Sequence, residues 1–118
     1  QEKNGFLEVH SLKHTRTFCY VDDAVKQIYL LAKKKEAINS VFNIGSQKPE
    51  ITINKLALKI IKLLNKKLKI KSLPNTEGSV SRRCPNMEKT TKFTHYKNQI
   101  SIDEGLILTY EWYLKNYF

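Results

Sequence analysis

Glycine is scarce in this sequence: four residues in 118, at positions 5, 45, 78 and 105. Spacing this wide excludes a phosphate loop and a dinucleotide fingerprint, because both need glycines gathered in one tight turn. Cysteine is scarcer still. Cys19 and Cys84 cannot build a disulfide framework, and with three scattered histidines they exclude a zinc constellation. Long apolar runs are also missing. The richest stretch, residues 56–64, is broken by Lys59 and Lys62, far short of the roughly 18 apolar residues that span a bilayer. No membrane partner is expected, and with no secretory signal at the start the expected location is the cytoplasm. Acidic side chains are in the minority, 11 against 21 Lys and Arg, so the net charge is +10 and the partner is expected to be an anion. Only three prolines and 41% apolar residues argue against disorder. The length fits a single domain over residues 1–118. The first residue is Gln rather than Met, which points to a segment removed upstream.

What is present reads as alternating strands and helices. Residues 6–9 alternate, and residues 17–21 favour a strand that stops at Asp22-Asp23. Either aspartate can cap a helix running to about Lys35, with Val25, Ile28, Tyr29 and Ala32 on its inward face and Lys33-Lys34-Lys35 in its last turn. Residues 41–44 read as a short buried strand ending at Gly45. Thr52 or Asn54 caps a second helix to about Asn65, with Leu56, Ile60, Leu63 and Leu64 inward. Residues 69–73 alternate as a strand, 75–86 form a loop, and a short helix covers about 87–93. Ser101-Ile102-Asp103-Glu104 is a capping box that opens a last helix to about Asn116. The expected fold is α/β, a small mixed sheet with packed helices.

The basic excess is nearly all lysine, which reads as solvated surface. Only Arg16, Arg82 and Arg83 are arginines. A guanidinium presents a planar, always-charged fork that bonds two oxygens of a phosphate or carboxylate at once. Arg16 and Arg83, at the edges of predicted elements, are therefore candidates to converge on one anion; surface salt bridges are the plain alternative.

Here the sequence meets a known family. Arg16-Thr17-Phe18-Cys19-Tyr20-Val21-Asp22-Asp23 resembles the R-x-F-x-Y-V-x-D segment of extended short-chain dehydrogenases that act on nucleotide sugars. Val41-Phe42-Asn43-Ile44-Gly45 resembles their N-[IV]-G strand, and Ile51-Thr52-Ile53 with Leu56-Ala57 the helix start that follows. Arg83-Cys84-Pro85-Asn86 with Lys89 is similar to R-x-P-D-…-K, and Ile102-Asp103-Glu104-Gly105-Leu106 with Thr109, Trp112 and Tyr113 to L-E-E-G-L…T-x-x-W-[YF]. Five matches in the family's order cover what corresponds to the C-terminal third of such an enzyme. The resemblance implies that Arg16 and Arg83 clasp the substrate diphosphate. It implies that Glu8, Val9 and His10 lie in the strand flanking the nucleotide base, with His10 where an aromatic residue commonly stands. Asp23 is read as a helix cap, and Arg82 as a solvated neighbour without a matching role. Two positions depart from the pattern: Ser11 replaces a glycine after the flanking strand, and Asn86 replaces an acid.

The resemblance also implies a cofactor, NAD(P), bound in the complete enzyme by an N-terminal Rossmann half. This chain alone is expected to bind none and to contain no catalytic residue. Tyr29-x-x-x-Lys33 has the spacing of the family's catalytic pair, but Tyr29 falls on the apolar helix face. Cys19 has no histidine placed to activate it and reads as a small core residue. The expected function is thus that of a nucleotide-sugar-binding C-terminal portion of an NAD-dependent epimerase, dehydratase or decarboxylase, partnered by its Rossmann half. A small basic nucleic-acid-binding domain is the rival, disfavoured because Tyr110, Trp112, Tyr113 and Tyr117 share one predicted helix away from the arginines. A regulatory remnant without ligand binding is the other.

Overall fold

A computed structural model describes residues 2–3 and 5–117; Gln1, from which an upstream segment was inferred, lies outside them. The chain divides into two compact units, each built from two stretches of sequence: Gln1–Arg16 with Glu50–Arg83, and Thr17–Pro49 with Cys84–Phe118.

The first unit holds two three-stranded sheets and one helix. Strand β1 (Glu2–Lys3) pairs antiparallel with β2 (Phe6–His10), and β2 pairs parallel with β5 (Lys69–Leu73), Phe6 opposite Lys69 and His10 opposite Leu73. In the second sheet β3 (Thr15–Thr17) lies between β4 (Glu50–Thr52) and β6 (Arg82–Arg83). Helix α2 (Ile53–Leu63) follows β4 directly, and the Thr52 side chain caps it by accepting from the Lys55 N–H at 3.2 Å, as its sequence predicts. Two more of its first N–H groups, those of Ile53 and Asn54, donate to the carbonyls of His14 and Leu12. The helix start is thereby tied to the turn at 11–14, and its buried face centres on Ala57 and Ile61.

The second unit is helical: α1 (Val21–Ala32), a 3-10 turn (Lys35–Ala37), α3 (Glu88–Thr94) and α4 (Ile102–Tyr117). The Ser101 hydroxyl accepts from the Glu104 N–H at 3.2 Å, fulfilling one half of the expected capping box.

Five expectations are corrected here. The predicted strand at 17–21 runs instead over Thr15–Thr17, because α1 already starts at Val21. Neither aspartate caps α1: its N-cap is Tyr20, which makes no side-chain cap bond, and Asp22 and Asp23 lie inside the first turn. The helix ends at Ala32, so the lysine triplet lies beyond its last turn. Its buried face is Asp23, Gln27 and Leu31, while Val25, Ile28 and Tyr29 are at least half exposed. Buried hydrogen-bonding groups fixed that face, not apolar periodicity. Residues 41–44 form no strand among the described residues, and Val41 is 87% exposed.

Candidate functional site: an arginine pair on adjacent strands

Arg16 and Arg83 are register partners on parallel neighbours β3 and β6, one step after the pair Thr15 and Arg82. Adjacent parallel strands lie about 4.8 Å apart and register partners share a face, so two guanidinium groups issue from the same side of a narrow ribbon. Two like charges placed side by side oppose the pairing unless an anion lies between them. Among the described residues no carboxylate pairs with either one.

The two arginines are held differently. Arg16, half-buried, donates from Nη1 to its neighbour's carbonyl, Thr15 O, at 2.7 Å, and from Nη2 to Val80 O at 2.7 Å and Ser79 Oγ at 3.1 Å. Ser79 Oγ in turn lies 3.3 Å from Nδ1 of the buried His14. Five donors are available on a guanidinium, so this anchoring leaves Arg16 with further N–H groups for a ligand. Arg83 is exposed, and its side chain makes no hydrogen bond or ion pair among the described residues. One fork is fixed by three hydrogen bonds, and the other extends from the exposed edge strand.

Glu8, Val9 and His10 stand on β2, in the other sheet of the same unit. Glu8 is committed to Lys71 on β5 at 2.7 Å, and the hydrogen bond and charge of that ammonium hold its carboxyl below the usual carboxylate range. Val9 is half-buried, and exposed His10 has its Nδ1 at 2.8 Å from Pro74 O. The structure thus unites Arg16 with Arg83 and keeps the other three on a separate sheet.

Arg82 is not merely solvated. Its Nε and Nη2 donate to Glu50 Oε1 and Oε2 at 2.7 and 2.9 Å, and Glu50 Oε1 also accepts from Thr15 Oγ1 at 2.8 Å. These bonds, the Arg82 fork first and the Thr15 hydroxyl second, depress the Glu50 carboxyl. Nothing in the local pattern flagged Glu50, 32 residues from its arginine in sequence. Ser79 and Val80 were equally hidden inside a segment read only as loop.

In the second unit Tyr29 is half exposed rather than inward, and its ring face lies under Lys33 Nζ, 4.3 Å from the centroid. That is a cation–π contact. Cys19 is half-buried, its thiol pushed up by burial and by the Asp23 charge. On α4 the rings of Trp112, Tyr113 and Tyr117 pack on one another at 5.2 to 5.5 Å.

No protein-family model matches the chain. It is 40% identical over 101 residues to an uncharacterized protein of Methanocaldococcus jannaschii, covering 86% of this chain and 30% of that protein. It is 31% identical over 97 residues to UDP-glucuronic acid decarboxylase 3 of Arabidopsis thaliana, covering 82% of this chain and 28% of that protein. A UDP-glucuronic acid 4-epimerase of Bacillus cereus, solved with UDP-glucuronic acid and NAD, shares its fold: TM-score 0.84 at 23% identity, over 95% of this chain and 36% of that one. The chain matches the C-terminal portion of an extended short-chain dehydrogenase/reductase. It spans about 30% of the length of the curated relatives it matches.

One departure from the family pattern has a structural account. Ser11, where the family pattern has glycine, adopts φ 55°, in the left-handed region that glycine enters without cost. Two bonds hold the serine there: its carbonyl accepts from the His14 N–H at 2.9 Å, and its hydroxyl from the N–H of Thr76, 65 residues away, at 3.0 Å. Gly5 and Gly78 sit alone in turns, Gly45 stands singly beside the Pro85 ring, and Gly105 lies inside α4. No described helix is long and apolar enough to cross a membrane.

Proposed function

We propose that this chain is the nucleotide-sugar-binding C-terminal portion of an NAD-dependent epimerase, dehydratase or decarboxylase of the extended short-chain dehydrogenase family, acting in the cytoplasm. The observation that carries the reading is the register pairing of Arg16 with Arg83. A diphosphate offers oxygens to two forks at once, and each charged hydrogen bond is worth about 1.5–3 kcal/mol. Strand β2 flanks the base, with the His10 ring oriented through Pro74 O.

NAD(P) and the catalytic groups belong, in this reading, to a Rossmann half that docks on the second unit. Val21, Val25, Ile28 and Tyr29 leave one side of α1 apolar and exposed, and Ile38 and Ile44 line a pocket together with Ile28. The relatives' extra length, about twice that of this chain, supplies an occupant of the right kind. Apolar side chains left in water in one patch mark an interface.

Titration of the ¹⁵N-labelled 118-residue chain with UDP, TDP and GDP tests the reading. Perturbations should centre on residues around positions 16 and 83. Shifts confined to the lysine-rich helix faces would replace the clasp with generic basicity.

A further inference from the structure

We propose that Glu50 is a positioning residue that holds the Arg16–Arg83 pair in register for an anionic ligand; this rests on the diphosphate reading above. The ladder between β3 and β6 has only two register pairs, Thr15–Arg82 and Arg16–Arg83. A ladder this short is not self-supporting, and its second step sets two cations side by side. Something outside the two strands must secure it.

Glu50 supplies that hold from the third strand. Its carboxylate takes Thr15 from β3 and Arg82 from β6 into one grip, with Oε1 shared between them at 2.8 and 2.7 Å and Oε2 closing the fork at 2.9 Å. It grips the step immediately before the arginine pair. Side chains alternate along a strand, so Thr15 and Arg82 point to one face, and Arg16 and Arg83 to the other. Glu50 therefore works on the far face and does not touch the ligand. It also occupies the fork of Arg82, so that this third arginine does not compete for the anion. One carboxylate thus sorts two consecutive arginines into a structural one and a binding one.

The test uses the 118-residue chain and UDP as probe, read by NMR titration with the Arg16 and Arg83 Nε–H signals observed directly. Glu50→Gln keeps the shape and removes the charge. Affinity for UDP should fall roughly three- to tenfold, the scale for residues acting at one remove, with the Arg83 Nε–H signal responding less to ligand. The charge swap, Glu50→Arg with Arg82→Glu, rebuilds the pair and should restore affinity to within about twofold of the parent. A merely structural role predicts altered melting without that rescue. Should Glu50→Gln fail to fold, Arg82→Gln breaks the same grip with the carboxylate intact and should weaken UDP likewise. Unchanged UDP affinity in Glu50→Gln, alongside a loss in Arg83→Lys, overturns the positioning role and leaves the clasp standing. If UDP perturbs neither arginine in the parent chain, both fall.

Discussion

The Tyr96 hydroxyl donates to Oδ1 of Asp23 at 2.6 Å, across 73 residues of sequence. The same carboxylate accepts from the Gln99 N–H at 2.9 Å and, through Oδ2, from the Ile100 N–H at 3.0 Å. Burial pushes the Asp23 carboxyl up, but these three bonds outweigh it and hold the group below its ordinary value. The carboxylate in turn pushes the Tyr96 hydroxyl up to about 12. An aspartate in the first turn of one helix thereby ties down the segment that leads into another.

Acid and alkali should attack this joint from opposite sides. Asp23 has a depressed value in the folded chain, so its contribution is complete above the ordinary carboxylate range and fades as pH falls through it. Tyr96 has a raised value, so its contribution is complete below pH 10 and fades as pH climbs toward about 12. Thermal melts from pH 9 to 12 should show a decline that Tyr96→Phe flattens. Asp23→Ala, which leaves three donors without an acceptor, should cost about 3 kcal/mol or more in denaturant unfolding.

The two arginines of the proposed clasp should separate binding from stability. Arg83→Lys should weaken UDP-sugar binding by about 1–2 kcal/mol and leave the melting temperature in place, since an ammonium offers a point charge for a fork. Arg16→Lys should weaken binding similarly and also lower stability, because the bonds to Val80 and Ser79 go with the guanidinium. Net charge stays at +10 in both, so calorimetry at one salt concentration distinguishes a fork from a field. Equal binding by both variants and the parent would rule out the clasp.

Ser11 carries two opposing terms. Ser11→Gly relieves a left-handed backbone worth about 1–2 kcal/mol and gives up the Thr76 bond, worth about 1 kcal/mol, so the net change should be near zero or slightly stabilising. Ser11→Ala keeps the strain and loses the bond, and should destabilise by about 1 kcal/mol. Chemical denaturation of the two variants measures the split directly.

The apolar side of α1 should make the isolated chain self-associate and bind a hydrophobic dye. Ile28→Lys, at a position 53% exposed, should reduce both while changing stability by less than about 0.5 kcal/mol. A dye signal and sedimentation profile unchanged by this substitution would show that the face is not the sticky one.

Local chemistry made some of the fold readable. Thr52 at the start of α2, the alternation over Lys69–Leu73 and the Ser101 cap of the Ser101–Glu104 box all rest on neighbours within four residues, and the structure contains all three. The strand β6 was unreadable because two residues carry no periodicity; only β3, 67 positions away, makes them a strand. The face of α1 misled for a related reason. Asp23 and Gln27 are buried by Gly45, Asn98 and the 96–100 segment, partners no spacing rule can see. At the candidate site, arginine rarity narrowed the choice to positions 16, 82 and 83 and the family resemblance selected 16 and 83, whereas Glu50 is one acid among eleven until the sheet is assembled.

Each compact unit is completed by a stretch of chain that follows part of the other one, and this ordering governs how the protein can be made. Residues 17–49 must be synthesised before 50–83 can close on 1–16, and 84–118 must arrive before 17–49 has its own complement. Truncation after residue 83 would leave the second unit without α3 and α4, so neither unit can be produced as a single uninterrupted fragment. The parallel pairings join residues 63 and 67 positions apart, and such distant contacts must overcome loop closure before they stabilise anything. Stopped-flow refolding should therefore fall in the range of about milliseconds to seconds, slower than a helical chain of this length.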